Sequence, residues 1–558
     1  MQHPNQRDKP YHRGKQGAPT ILLATIALVS LAAAAVAPSA VAATNKAAPT
    51  KKKTTATTAT AATTAPPPTA AATTAVPAPT GAAVQDPKAA PLILAVNTEP
   101  STLDAQLVND RSSRVVGDSI FETLLGRDRN NKPSPLLADT WEANSSTSWR
   151  FSLHKGISFT DGEPMNADAV VFSINRILDP KFGTQRTSYL EAMVRAVKVD
   201  DMTVDIITSV PSATLPIQIT SIPIVPPNAA AKIGTNPIGT GPYVFVKWDR
   251  GREIVAKRNE TYWGPVKPKI AEFHLKFIAD AQTALAALQT GEVDLVVDLL
   301  AEQKKLAPKV SSTPSSEFSY IAFNTYKKEL NDPRVRLALN YAVDKELLAS
   351  TIYGGDARPD DAQHLTKDML GYNPDLHPYP YDVEKAKSLM KAAGYENGFT
   401  LDLNVPIGRY SKGEESSDFI AAQLAKINIK VNVVRIDFNT FRVQSRIKGT
   451  ATGAMDLKYS WNSNEFFDGS RIIAHITCDG TSSKYCNPQV DKLMDEATKT
   501  QNQFDRGLKY RLVWKLLNDD PYSIMLLQQN LIYGMTKRLQ WQPGVNDDID
   551  ISNMITTK

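Results

Sequence analysis

The stretch Ser158–Ile177, SFTDGEPMNADAVVFSINRI, reads as strand, turn and helix in succession. Phe159 ends a run of alternating apolar residues, Asp161-Gly162 supplies a tight turn, and Asn166 stands where a helix N-cap accepts backbone N–H groups. Beyond it Val170, Val171, Ile174, Ile177 and Leu178 recur at helical spacing, so the helix has one apolar face to bury. By these residues alone the stretch is a strand and helix of an α/β domain.

Together with Trp149-Arg150-Phe151-Ser152-Leu153-His154-Lys155-Gly156 just before it, the stretch resembles the signature of the family 5 extracellular solute-binding proteins, the peptide- and nickel-binding components of ABC importers. Two later blocks resemble the same family in the expected order. They are Arg258-Asn259-Glu260-Thr261-Tyr262-Trp263-Gly264, and Asp332-Pro333-Arg334-Val335-Arg336 with the short apolar helix that runs on to Tyr353-Gly354-Gly355. The resemblance spans roughly residues 91–535. It implies a two-lobed α/β periplasmic-binding-protein fold with mixed sheets, an extra subdomain inserted in the first lobe, and a ligand cleft that closes between the lobes.

Outward from there the chain divides by composition. Residues 1–90 hold nine Lys/Arg against two Asp/Glu, so the net charge of +5 for all 558 residues belongs to this leader and tail. Residues 91–558 carry 54 basic against 56 acidic side chains, net −2, and no basic stripe with interleaved aromatics supports nucleic-acid binding. Arg7, Lys9, Arg13 and Lys15 precede an apolar run from Ile21 to Ala37 and then Ala40-Val41-Ala42, the order a secretory signal peptide needs. Cleavage is expected after Ala42 or Ala43. The alternative is an uncleaved anchor helix, since Pro19–Ala37 is nearly long enough to span a bilayer. No cysteine follows the apolar run to accept a lipid, so a free periplasmic protein is expected. Residues 43–90 are almost only Ala, Thr and Pro with no aromatic residue, and read as a disordered tether.

The two cysteines, Cys478 and Cys486, flank a loop-like stretch and in an exported protein read as one local disulfide, a staple stabilising by about 2–3 kcal/mol. A metal site is the weaker reading, because no His pair accompanies them.

In the body, Leu92–Val96 reads as a buried first strand, followed by a helix over Val115–Leu125. The first lobe is expected over 91–139 and 237–311, with 140–236 inserted as a subdomain. The second lobe is expected over 312–519, and 520–558 returns to the first lobe and ends the chain. Pro237-Ile238-Gly239-Thr240-Gly241-Pro242-Tyr243 lacks the third glycine of a dinucleotide loop and is a turn into the strand Tyr243–Trp248. Later segments read as the strand Val293–Val297 after the helix Ala284–Gly291, the strands Ile321–Asn324, Leu401–Val405, Ile429–Ile436 and Asp456–Trp461, the helix Ser417–Ile427, the helices Asn487–Thr500 and Arg506–Asn518, and the strand Ile524–Gln528.

The resemblance also implies where ligand chemistry sits. In Gly408-Arg409-Tyr410 the arginine lies just past a strand end, where a planar guanidinium suits a ligand carboxylate, as in dipeptide-binding relatives. By residues alone it is a surface arginine in a loop. In Trp461-Asn462-Ser463-Asn464-Glu465-Phe466-Phe467-Asp468, Asn464 stands where relatives carry an aspartate that pairs with the peptide amine. A neutral amide cannot supply that charge, so Glu465 or Asp468 takes over or the ligand lacks a free α-amine. Trp461 is a cleft wall or a core aromatic. Asp110 and Arg111, in the loop before the first helix, are candidates from the other lobe.

No G-x-x-x-x-G-K-[ST], H-E-x-x-H or G-x-S-x-G occurs, and the seven histidines form no pair at metal-ligand spacing. The reading is therefore a non-enzymatic, monomeric receptor without cofactor or metal, which binds a peptide or peptide-like solute and presents it to an inner-membrane ABC permease. A ligand sensor for chemotaxis or signalling, a binder of a nickel chelate, and an enzyme on the same fold are the rivals.

Overall fold

The computed structural model describes residues 90–557 apart from 129, 191, 481 and 545–547. The signal peptide and the tether expected over 1–90 lie outside the described residues, save Ala90. Among the described residues no helix is long and apolar enough to cross a membrane.

One eleven-stranded mixed sheet runs through the body. Its order is Lys430–Ile436, Thr400–Pro406, Leu457–Ser463, Lys309–Phe323, Ser523–Met535, Leu295–Val296, Leu92–Val96, Glu272–Phe277, Glu253–Arg258 and Tyr243–Asp249, with Ala357–Pro359 paired to Ser523–Met535 off this path. Leu92–Val96 is parallel to both its neighbours, and so is Thr400–Pro406, whereas the middle of the sheet is antiparallel. Separate apolar cores collect at the two ends. Leu92, Leu94, Ile120, Tyr243, Phe273 and Leu275 belong to one, and Ile321, Leu339, Leu401, Ile420, Leu457 and Tyr459 to the other. This is a two-lobed, mixed α/β arrangement.

A four-stranded antiparallel sheet stands apart, in the order Ala138–Ser145, Ser148–Leu153, Thr203–Thr208, Met193–Asp200. The opening stretch covers it. The helix runs Ala167–Leu178, its N-cap Asn166 accepts from the Ala169 N–H at 3.1 Å, and Val170, Ile174 and Ile177 are buried against Phe151, Val204 and Ile206. Val171 and Leu178 lie half-buried at the edge of the same core.

Four expectations need adjusting. The first helix is Arg111–Ile120, earlier than the apolar run suggested, because Asp110 caps it through the Ser113 N–H at 3.0 Å. Asp110 and Arg111 therefore form a helix start and not a loop. The expected strand Val293–Val297 shrinks to Leu295–Val296. The strand read at Ile321–Asn324 is the end of a fifteen-residue strand, Lys309–Phe323, and that read at Ile524–Gln528 extends to Met535. These two long strands pair with each other from Lys309↔Met535 to Ala322↔Ser523, interrupted by register shifts between Pro314 and Phe318 and between Ser319 and Tyr320. They carry the sheet from one lobe into the other. Cys478 and Cys486 form the expected disulfide.

The glycines of the 237–243 turn have a packing cause. The Gly241 N–H donates to the Ile120 carbonyl at 2.9 Å, and a Cβ on Gly239 would stand 2.0 Å from that same oxygen. Gly239→Ala should therefore push the turn off the first helix and cost about 1–3 kcal/mol, the usual range for overpacking. A urea midpoint equal to that of the parent protein would show that the two backbones can separate freely.

Candidate ligand-binding site

Between the two cores, alongside the long strands, lies a cavity of about 830 Å³. Its floor is the stretch where those strands exchange apolar for polar side chains. Ser316, Glu317, Gln529 and Asn530 line it there, and Gln529 Nε2 donates to Ser319 Oγ at 3.2 Å while Asn530 Nδ2 donates to Ser312 Oγ at 3.2 Å. Small hydroxyls and amides at this crossing satisfy one another and leave the floor wettable.

One wall comes from the start of the first helix. Asp110 and Arg111 both line the cavity, and Arg111 forms an ion pair with Asp298 on the same wall. The Asp110 carboxylate is engaged in its own cap, accepting from Ser113 Oγ at 2.5 Å as well as from the Ser113 N–H. Asn109, next along, donates to the Tyr189 hydroxyl at 3.1 Å.

The opposite wall is aromatic. Trp461 stacks on Tyr410 with ring centroids 5.5 Å apart, and its indole N–H donates to the Tyr459 hydroxyl at 3.2 Å. Arg409 continues the stack, its guanidinium 5.5 Å from the Tyr410 ring and 5.2 Å from that of Phe438. It is exposed and has no acidic partner among the described residues. Gly408, just before it, adopts φ +65°, which swings the loop out of the strand Thr400–Pro406.

The residues of Trp461–Asp468 separate. Trp461 and Glu465 line the cavity, whereas Asn464 and Asp468 do not. Asn464 is fully buried, and its side-chain amide meets no hydrogen-bond partner among the described residues. Asp468 is buried too, held by Arg506 Nη2 at 3.1 Å and by the Ser470 N–H at 2.9 Å. That leaves Glu465 as the acid of this segment that faces the cavity. Burial opposes its ionisation, but Arg471 and the Ser463 hydroxyl, at 3.3 and 2.5 Å, hold its pKa below the ordinary value. Of the seven residues singled out for ligand contact, the cavity brings together Asp110, Arg111, Arg409, Tyr410 and Trp461. Among the described residues no group of three or more His, Cys, Asp and Glu is placed to hold a metal ion.

The rim is bridged where the separate four-stranded unit meets the far wall. Tyr189 and Phe466 pack edge to face at 5.4 Å with Ile217 beside them, Arg127 donates to the Glu465 carbonyl, and the Ala213 N–H donates to the Thr498 carbonyl at 3.1 Å.

A cleft of this kind between two lobes on a shared sheet has counterparts of known type. The profile of the bacterial extracellular solute-binding proteins, family 5, middle region, matches residues 132–480. The chain belongs to this family. It is a substrate-binding protein of an ABC importer. It is 29% identical over 466 residues to the glutathione-binding protein GsiB of Pectobacterium atrosepticum, covering 80% of this chain and 90% of that one. Among solved structures it resembles AgaA of A. tumefaciens R10 in complex with agropinic acid, with TM-score 0.69, 27% identity, and 84% and 99% of the two chains covered. It shares the fold of CtaP from Listeria monocytogenes, with TM-score 0.74, 23% identity, and 84% and 99% covered.

Reading the receptor's sequence missed Asn109, Asp298, Glu317, Gln529 and Asn530. One signal was present for the last two, since Gln528-Gln529-Asn530 interrupts an otherwise apolar strand. An opening of the lobes that parted Tyr189 from Phe466 would lose this contact, so the contact favours the form in which it is made. Phe466→Ala should lower ligand affinity about 2–12-fold, from an aromatic pair worth about 0.5–1.5 kcal/mol, mainly through faster dissociation. Stopped-flow release rates equal to the parent's would remove the rim contact from the closing equilibrium.

Proposed function

We propose that the receptor captures a short peptide or a peptide-like solute such as glutathione, gripping its carboxylate with Arg409. The observation that carries this reading is a guanidinium at the cavity, oriented by Tyr410 and Phe438, with no acid to neutralise it among the described residues. A planar donor set in that state suits a bidentate carboxylate. Tyr410 and Trp461 give flat apolar area to the solute's side chains, and Glu465 offers an ionised acid to its amine in place of the aspartate that Asn464 replaces. A cavity of about 830 Å³ exceeds what one amino acid needs and lies within the ordinary range of ligand pockets. The relatedness to a glutathione-binding protein points to the same ligand class.

The receptor acts as a monomer and without covalent chemistry. The ligand shifts it towards the closed form by as much as it prefers that form, and an inner-membrane ABC permease reads the closed shape. Export to the periplasm through the Ala40-Val41-Ala42 leader places it where this exchange occurs.

Calorimetric titration with reduced glutathione and with trialanine tests this. Arg409→Ala should weaken binding by about 1.5–3 kcal/mol, roughly 10–150-fold, and an unchanged dissociation constant would take Arg409 out of the site. Glu465→Gln should weaken the free-amine ligand but leave its N-acetylated form unaffected. Equal losses for both forms would assign Glu465 to holding the wall and not the amine.

A further inference from the structure

On the opposite face of the strand Leu457–Ser463, away from Tyr459, Trp461 and Ser463, lies a second and much smaller cavity. Lys458 and Lys484 both line it, and they are 5% and 4% exposed. Buried ammonium groups are ordinarily matched to carboxylates. Here Lys458 Nζ reaches only the Ser482 carbonyl, at 3.5 Å, and Lys484 Nζ only the Met455 carbonyl, at 3.4 Å, among the described residues. Six N–H donors thus share two long contacts.

No acidic residue lines this space. The carboxylates around it form their direct contacts elsewhere: Asp456, close enough to act on the Lys484 charge, accepts from Lys327 Nζ at 2.6 Å, Asp520 pairs with Arg336 and accepts from the Tyr485 hydroxyl at 3.0 Å, and Glu465 pairs with Arg471. His475 lines the same space. Its Nε2 contacts Arg471 Nη1 at 2.6 Å, and burial with Arg471 beside it brings its pKa down to about 4, so the neutral ring carries its proton on Nδ1. Burial lowers both lysines to about 8, with Lys484 adding to the effect on Lys458 and Asp456 partly opposing it at Lys484, so both remain largely protonated near neutral pH.

We propose that Lys458, Lys484 and His475 form a binding site for a single chloride ion beneath the disulfide loop. The space is small, about 20 Å³, which suits a monatomic anion better than a polyatomic one. Lys458 belongs to the sheet, whereas Lys484 and Ser482 lie inside the loop closed by Cys478 and Cys486. The ion ties the stapled loop to the strand whose other face carries Trp461. It is a structural anion, separate from the solute.

The test uses the secreted protein, freed of halide in sodium gluconate near pH 7. Chloride added to the parent protein should broaden the chloride NMR line beyond the protein-free value, and bromide should reverse this. The thermal midpoint should rise by about 1–3 °C on exchanging gluconate for chloride at constant ionic strength. Lys458→Met and Lys484→Met, each close to the length of the lysine stem, should lose both effects. Absence of excess broadening in the parent protein, or its persistence in both variants, would overturn the proposal. Should one variant fail to fold, the other and the bromide competition on the parent protein still decide.

Discussion

The pairing of Lys309–Phe323 with Ser523–Met535 is the constraint on which the rest of the molecule depends. These strands belong to both lobes, so their ladder fixes where the two cores stand and what lies between them. A continuous ladder through a cleft meets water on its cleft side, and an apolar surface there would close on itself. The side chains at the crossing are accordingly Ser312, Ser316, Ser319, Gln529 and Asn530, of which Gln529 donates to Ser319 and Asn530 to Ser312 across the strands. The register shifts fall in the same stretch, where a ladder with fewer bonds bends more easily.

That same compromise decided what could be read from sequence. Periodic segments with caps were legible: the helix behind Asn166, that behind Asp332-Pro333, and the strand Leu92–Val96 all lie where expected, because their apolar positions face a core. The long strands were legible only at their apolar ends. Ser311-Ser312-Thr313-Pro314-Ser315-Ser316 has no alternation and contains a proline, which argues against a central strand. Pro314 is tolerated because it sits at the register shift, where no ladder donor is required. The single sheet spanning both lobes depends on pairings between residues more than two hundred positions apart, which no local pattern encodes.

For the candidate site the division is similar. Arg409, Tyr410 and Trp461 stand at strand ends, and strand ends could be located. Asp468 and Glu465 could not be told apart, since three residues in a loop give no direction to a side chain. What separates them is Arg506, thirty-eight positions on, which takes the Asp468 carboxylate into the interior and leaves Glu465 to the cavity.

The stretch Ser158–Ile177 does not touch the cavity, yet its helix helps to set the wall opposite Arg409. Arg176 on that helix bonds the Asp104 carboxylate at 2.5 Å and Gln106 Oε1 at 2.8 Å, and Gln106 Nε2 donates to the Ser173 carbonyl at 3.0 Å. Just beyond the helix, Arg186 Nε donates to the Val108 carbonyl at 3.1 Å, and Tyr189 receives Asn109. The segment 104–109 is thereby pinned along its length, and it ends at Asp110, whose cap starts the first helix with Arg111 lining the cavity. Charge-assisted bonds at buried sites are the strong ones, so a shift of the four-stranded unit is carried to this wall with little slack. Tyr189 also meets Phe466 at the rim, so the same unit both holds one wall and touches the other. A signature that lines no part of the cavity can therefore still set the position of its wall.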